Sequence, residues 1–428
     1  MKEKSWVDDL DTGIIPYVKF PNYEDRYPTL SIQKFPYGFY EELRETSSKL
    51  FNIFCRVTKL LQTNSENILK DLDIPEKIFP YLNIENRLGL PSWLSRFDYV
   101  LDKDSNLKMI EINADTPCAI PEAYCGNKIA CNYFAVDNPN NFEERQLESL
   151  LNKLFYGVIP REMDGFGNFN EKHPMLFSCF HDYIEDLGNT MYLKNLIGEH
   201  FNKLYGNNII FESFYNLMVD DKGLLLPSGQ RPYFLYRMHP IELLIEERSE
   251  DSTDIGLMLL DRYKEHKFVM MNPPESIIMQ NKGFLALVWN LSNVRNTLLS
   301  EDDIEIIHKY MLPAYLDFEE ISFKIGDRYI QKPIYGREGC GIKIVDIGSN
   351  VLEYTEESNY DVTRLSKNYL YQKFIDSPVY EHLTDSGSKK GYLTLSCFMV
   401  GDKPSAVYGR FSESRICGND AYWLPLGY

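Results

Sequence analysis

Residues 96–113 read RFDYVLDKDSNLKMIEIN. Two runs of alternating polarity flank the polar stretch Lys103–Asn106, which is the pattern of a β-hairpin. With Asp102 set opposite Leu107, Asp98 faces Glu111 and Arg96 faces Asn113. Period-two alternation then gathers these four side chains on one face. Phe97, Tyr99, Leu101, Ile110 and Ile112 fall on the other, which reads as the buried face. Two carboxylates side by side repel unless positive charge lies between them. Arg96 alone could supply it, giving an ion-paired, solvated sheet face. So could a Mg2+ ion, because hard cations take oxygen ligands and leave positions for phosphate oxygens.

Around the hairpin the chain alternates between helical and strand-like patterns. Residues 1–38 form an extended arm rich in Pro and Tyr. A helix is expected from Tyr40 to Leu61, where Leu43, Leu50, Phe54, Val57 and Leu61 recur at helical spacing. The segment 118–134 reads as helix or loop, and Glu143–Phe155 as an amphipathic helix. The polar loop 165–174 is a domain-boundary candidate. Beyond it come a strand (MLFSCFHD), a helix over 189–205 and a strand (NIIFESFYNLMV), a βαβ-like rhythm. Helices are expected at 281–299 and 301–315. The last hundred residues are strand-rich, with RYIQKPI, GIKIVDI, YLYQKFID, GYLTLSCFMVG and SAVYGRF separated by glycine turns.

The chain has 428 residues, 44% hydrophobic and 25% charged, which is a globular composition too long for one ordinary core. A net charge of −18 argues against nucleic-acid and anionic-membrane partners. No stretch approaches the roughly 20 apolar residues of a membrane span, and the N-terminus has no apolar signal region. The eight cysteines include no CxxC pair, and no zinc site is visible. Free thiols in a reducing, cytoplasmic setting are therefore expected.

A second chemistry-bearing stretch is KPIYGREGCGIK, residues 332–343. A lysine ends a strand, three glycines follow (Gly336, Gly339 and Gly341), and another strand begins. Glycines let backbone N–H groups approach phosphates, although a plain turn has the same composition. It is not a Walker A loop, because no GK[ST] occurs and no helix follows. Lys282 opens the apolar helix NKGFLALVWNL, where a solvated first-turn lysine is the simplest reading. Tyr371 and Gln372 lie near the end of one strand, and Arg410 ends another.

Taken in order, RFDYVLD…KMIEINADTP, LYRMHPIELLIEE, NPPESIIMQNKGFLALVWNL, KPIYGREGCGIKIVD, YLYQKF and FMVGDKPSAVYGRFSESRICGND resemble the synthetase domain of the glutathionylspermidine synthase family over about residues 90–428. That resemblance implies an α/β (α+β) ATP-grasp-type fold of circularly permuted order, with mixed sheets flanked by helices. It suggests an N-terminal arm and helical segment at 1–90 and a metal-binding hairpin with adjoining helices at 91–165. An α/β substrate domain of pre-ATP-grasp type would follow at 166–280, and the ATP-binding lid with the rest of the core at 281–428. It implies Mg2+ ligands at Asp98, Glu111 and Asn113, with Arg96 near the transferring phosphate or the carboxylate substrate. Lys282, Lys332 and the loop Gly336–Gly341 would hold ATP phosphates, Tyr371 and Gln372 would contact adenine, and Arg410 would steady an acyl phosphate. The activity implied is an ATP-dependent carboxylate–amine ligase acting on a small or peptide carboxylate and an amine, polyamines included.

The sequence departs from the family at Cys118, where a second small hydroxyl residue is common, and at Phe411, where an acidic residue is usual. Thr116 and Cys118 are the candidate contacts for the carboxylate substrate, and Glu185 and Asp186 for the amine. The amidase domain of bifunctional members has no counterpart here, so no hydrolase activity is expected. An ATP-dependent phosphotransferase and a nucleotide-binding protein without catalysis are the competing classes. Lys332→Ala and Asp98→Ala are each expected to abolish ATP turnover and leave the fold intact.

Overall fold

The computed structural model describes residues 5–20, 23–63, 65–86, 89–153, 174–205, 208–318, 327–346, 348, 350–355, 366 and 368–428. Three sheets carry the architecture. The core sheet is antiparallel and runs in the order Tyr422–Leu424, Lys403–Ser412, Gly387–Val400, Leu94–Leu101, Leu107–Asn113, with Tyr380–Thr384 paired onto the start of the longest strand. A parallel sheet runs Ile209–Phe211, Met175–Ser178, Phe234–Arg237, Val269–Met271. An antiparallel lid sheet runs Ala314–Tyr315, Tyr369–Lys373, Arg328–Pro333, Lys343–Asp346, Val351–Tyr354. This is the mixed α/β arrangement with helix-flanked sheets that the sequence implied.

The helix expected from Tyr40 begins at Tyr37, directly after Pro36, and ends at Leu61. Leu43, Leu50, Phe54, Val57 and Leu61 are all buried. They face the core sheet, where Phe54 packs on Phe97 at 5.6 Å and Ser47 Oγ meets the Tyr99 hydroxyl at 2.8 Å. Each such buried side chain contributes roughly 1.5–3 kcal/mol. The helix expected at 189–205 starts earlier, at Ile184, with Glu185 and Asp186 in its first turn, where carboxylates suit the positive helix end.

Other boundaries moved for local reasons. The helix expected at 281–299 is two helices, Ser276–Gln280 and Gly283–Asn293, because Asn281 turns extended and donates its amide to the Leu72 carbonyl at 2.7 Å. The next helix spans only Glu301–Tyr310, fixed by a Ser300–Asp303 capping box, and 314–315 joins the lid sheet. NIIFESFYNLMV divides into Ile209–Phe211 and Met218–Asp220 around a 3-10 turn. The segment 118–134 holds a π-helical turn, Glu122–Gly126, running into the helix Asn127–Phe134. The boundary loop at 165–174 lies, apart from Pro174, outside the described residues; of the helix expected over 143–155 the structure describes Glu143–Lys153, and 154–155 lie outside the described residues. No described helix is long and apolar enough to cross a membrane.

The parallel sheet meets the hairpin through two buried polar knots. The Asn272 side chain accepts from the N–H groups of Trp93 (2.7 Å) and Leu94 (3.1 Å). It donates to the carbonyls of Leu94, Ala114 and Asp115 at 2.8, 3.2 and 2.7 Å. One amide thereby ties both ends of the hairpin to the C-terminal edge of the parallel sheet. Beside it Asp115 and Arg237, both side chains fully buried, form a two-bond ion pair at 2.5 and 2.9 Å. Asp115 also accepts from Ile241 N at 2.8 Å and Ser276 Oγ at 2.7 Å.

Candidate active site

The hairpin pairs Arg96 with Asn113 and Asp98 with Glu111, as the alternation predicts. It reaches that register differently. Near the turn the pairs are Leu101–Leu107 and Tyr99–Met109, and a bulge between Asp98 and Tyr99 restores the offset. The turn is longer than expected because Asp102 Oδ1 accepts from the N–H groups of Asp104 (3.0 Å) and Asn106 (2.9 Å), with Ser105 at a positive φ of 65°. The bulge moves Ile110 out of the buried face, and Met109 takes its place in the core. Ile110 lines the cavity instead.

Asp98 is fully buried and shared between two guanidiniums. Arg96 donates Nε and Nη2 to its two oxygens at 2.7 and 2.8 Å, and Arg410 Nη2 reaches Oδ2 at 3.1 Å. Burial works to raise its pKa, but the two arginines outweigh that and hold it below the ordinary carboxylate value. Asn113 donates Nδ2 to Asp98 at 3.2 Å. Glu111 lies 3.6 Å from the Lys282 ammonium and faces the cavity. Arg410 reaches across from Lys403–Ser412, two strands away in the sheet, where it lies opposite Thr394. Phe411, next in sequence, points the other way into an apolar cluster with Leu393 and Leu424, which accounts for an apolar residue there.

The lysines come from the lid side. Lys282 is buried, not solvated, and its Nζ donates to the Gly336 carbonyl at 2.6 Å. Lys332 donates to Gln372 Oε1 at 2.9 Å and to the Ile110 carbonyl at 3.2 Å, and burial pushes its pKa down to about 8. In the loop between the lid strands, Gly339 and Gly341 take positive φ values of 75° and 69°. A Cβ at Gly339 would come within 2.7 Å of the Cys417 carbonyl, so only glycine fits that crossing.

The core and lid sheets face each other across a cavity of about 430 Å3. Val100 and Ile110 stand on one wall, Ile330 and Ile344 on the other, a slot with apolar sides. Arg96, Glu111, Asn113, Lys282, Lys332, Gly336, Gly339 and Arg410 all border it. On the strand expected to contact adenine, Lys373, Phe374 and Ile375 line the cavity. Tyr371 packs against Tyr329 and Phe318 instead, and Gln372 holds Lys332.

Thr116 and Cys118 border both this cavity and an adjoining one of about 1070 Å3. Glu185 borders both as well, and Asp186 the larger one. Burial raises each of these two carboxyls to about 7, helped by Glu338 at Glu185 and by Glu185 at Asp186. Burial, and then Asp186 at 3.8 Å, push the Cys118 thiol well up, which keeps it in the thiol form. Sequence reasoning missed Arg337, which spans the two cavities and joins the glycine loop to the substrate side. It donates to Glu242 at 2.6 and 3.0 Å and to Thr116 Oγ1 at 3.2 Å. Its position inside GREG, between glycines of the candidate phosphate loop, was the available signal.

The donor set suits a nucleotide and a hard cation. Glu111 offers a carboxylate, and Asn113 an amide whose oxygen can be presented by rotation. The two lysines and two arginines around them match the charge of a polyphosphate.

Three comparisons bear on this geometry. The family model described as glutathionylspermidine synthase preATP-grasp matches residues 23–427. A Haemophilus influenzae protein named as an acid–amine ligase is 24% identical over 343 residues, covering 78% of this chain and 74% of its own. A solved glutathione synthetase-like effector from Globodera pallida, in its apo form, aligns with a TM-score of 0.59 over 96% of this chain and 93% of its own. At 12% identity that likeness speaks for the fold.

Proposed function

The chain belongs to the glutathionylspermidine synthase preATP-grasp family, and from that premise we propose that it joins a carboxylate to an amine by way of an acyl phosphate made from ATP. It is an acid–amine ligase of the glutathionylspermidine synthase type, a C–N bond-forming enzyme. The observation that carries the finer reading is the convergence of Arg96, Arg410, Lys282, Lys332, Glu111 and Asn113 on one cavity.

In this reading a carboxylate oxygen of the acid attacks the γ-phosphorus of ATP. A P–O bond forms as the bond to ADP breaks. The amine nitrogen then attacks the acyl carbon, the C–O bond to phosphate breaks, and phosphate leaves as the amine loses a proton. Neither step needs a protein nucleophile; both need charge neutralisation and positioning. Lys282 and Lys332 would hold the phosphates, with the glycine loop 336–341 over them. Arg96 and Arg410, fixed by Asp98, would face the charge that develops on the transferring group. Asp98, Glu111 and Asn113 are the oxygen donors for Mg2+, and Glu111 and Asn113 are the more available because Asp98 already bridges two guanidiniums. The ion would supply further neutralisation of phosphate charge. Thr116 and Cys118 stand where the acid would lie, and Glu185 and Asp186 where an amine would, a polyamine being one class that suits two carboxylates.

The test is phosphate release from Mg-ATP against a panel of short peptides and amines, singly and in pairs, with mass spectrometry of the products. Release that needs both partners, with a new amide mass, is the expected result. Release with the acid alone and a stable phosphorylated product would replace the ligase reading by phosphotransfer. No binding of Mg-ATP would overturn the site.

A further inference from the structure

Past Arg410 the core strand ends at Ser412, and residues 413–418 cross from the core sheet to the lid. Arg415 lays its guanidinium over the ring of Tyr392, a core-sheet residue, 5.0 Å from the ring centre. Ile416 is buried in an apolar cluster with two residues of the lid, Ile344 and Phe374. The Cys417 carbonyl then lies against Gly339, at the crossing that admits only glycine.

A side chain of the lid's outermost strand holds this crossing in place. Glu353, on Val351–Tyr354, accepts at Oε1 from the backbone N–H groups of Arg415 at 2.9 Å and Ile416 at 3.3 Å. Both N–H groups lie beyond the end of the core strand, so the carboxylate supplies the partner that a ladder would otherwise give. Oε2 reaches the Arg415 guanidinium only at 3.5 Å, and that side chain is 45% exposed, so the ion pair adds little. The two bonds from the backbone are the strong ones, because their acceptor is charged. Two residues on, Thr355 Oγ1 donates to the Gly339 carbonyl and accepts from Ile342 N at 3.2 Å. One short stretch of chain thus grips the glycine loop with Thr355 and the core crossing with Glu353.

These contacts set a distance. The glycine loop belongs to the lid, whereas Arg96 and Arg410 belong to the core sheet. A phosphate held between them needs the loop at one height above the arginines. The contact of Gly339 with the Cys417 carbonyl stops the loop from coming closer. The bonds of Glu353 and Thr355 stop it from drifting away. Neither of these side chains lines the cavity.

We propose that Glu353 and Thr355 are positioning residues of the phosphate site. They tie the glycine loop 336–341 to residues 413–418 at the spacing fixed by the Gly339–Cys417 contact, and so set the loop relative to Arg410. The role rests on the reading of that loop as the cover of the ATP phosphates. It predicts that loosening the tie weakens the hold on the phosphates and spares the hold on the nucleoside.

The test is displacement of a fluorescent adenine nucleotide from the full chain, with magnesium present, by a non-hydrolysable ATP analogue and separately by adenosine. Glu353→Ala and Thr355→Val are each expected to weaken the analogue about tenfold, the worth of one charge-assisted hydrogen bond, and adenosine by less than about twofold. Glu353→Gln keeps the Oε1 that takes both backbone bonds, and should stay within about threefold of wild type. Wild-type analogue affinity in both the alanine and the valine variants overturns the tie. Equal weakening of analogue and adenosine overturns it as well, since that is what a general loss of packing gives. So does a glutamine variant as weak as the alanine one. Failure of wild type to bind the analogue strikes the nucleotide reading itself, which separates the two failures.

Discussion

Replacing Asp115 by alanine should cripple the scaffold without touching the chemistry. Asp115 lies within the EINADTP stretch beside Glu111 and Asn113, but its carboxylate turns away from the cavity, into Arg237. Burial alone would raise its pKa; the Arg237 pair outweighs that and holds it below the ordinary value. The substitution removes the acceptor for four hydrogen bonds, two from Arg237 and one each from Ile241 N and Ser276 Oγ. It also leaves a guanidinium that is fully buried with no counter-ion. Breaking a buried pair from one side costs about 3–5 kcal/mol. At roughly 2–4 °C per kcal/mol for a unit of 150–250 residues, the melting temperature should fall by roughly 6–20 °C. Calorimetry at pH 7.5 reads this directly. The companion variant Asp115→Ala/Arg237→Met removes both charges and should recover a large part of the loss, because no unpaired ion remains. A single variant that melts within about 2 °C of wild type, or a double variant no better than the single, would refute the assignment of Asp115 to the scaffold.

Four further outcomes follow from the site. Glu111→Gln should lower ADP formation by on the order of 10²–10³-fold with an unchanged melting profile. Asp98→Ala should do so only together with a stability loss of about 3–5 kcal/mol, since it strands Arg96 and Arg410; ADP release and calorimetry on the same samples separate the two. Lys332→Met, which keeps the buried stem, should abolish turnover and leave the fold intact, and wild-type ADP release would sink its role. Burial raises Glu122 to about 8 and Glu185 to about 7, against Tyr17 and Tyr27 at the first and Arg410 and Arg96 at the second, so the folded chain holds protons there that the unfolded one has lost. Their contribution to stability should therefore fall as pH rises from the ordinary carboxylate range to about 8, and calorimetry across that window showing a rise instead would contradict it.

The hairpin was legible because period-two alternation survives any turn length that keeps Asp98 opposite Glu111. What alternation could not register was the pair of compensating irregularities, an enlarged Asp102 turn and a bulge at Ile110. These left the polar face in place but exchanged Ile110 for Met109 in the core. The lysines were visible as residue types and invisible as partners: nothing local says that Lys282 meets the Gly336 carbonyl, fifty-four positions away. Tyr371 shows the opposite failure. Its strand was read correctly, but which face meets the cavity depends on packing against Tyr329 and Phe318. The arm was hardest, since Phe20 and Tyr23 come to border the cavity only through tertiary contacts such as the close approach of Gly188 to Tyr17.

The amide of Asn272 has a chemical consequence as well as a mechanical one. Asparagines age by cyclisation, in which the backbone nitrogen of the following residue attacks the side-chain carbonyl and expels ammonia. Conversion to aspartate here would turn an –NH2 donor facing three carbonyls into an acceptor, and the hairpin would lose its tie to the parallel sheet. The residue that follows is Pro273, whose nitrogen carries no hydrogen and cannot close that ring. The sequence thus places this asparagine in a local context that blocks the ordinary route of decay, and old preparations should carry deamidation elsewhere before they carry it at 272.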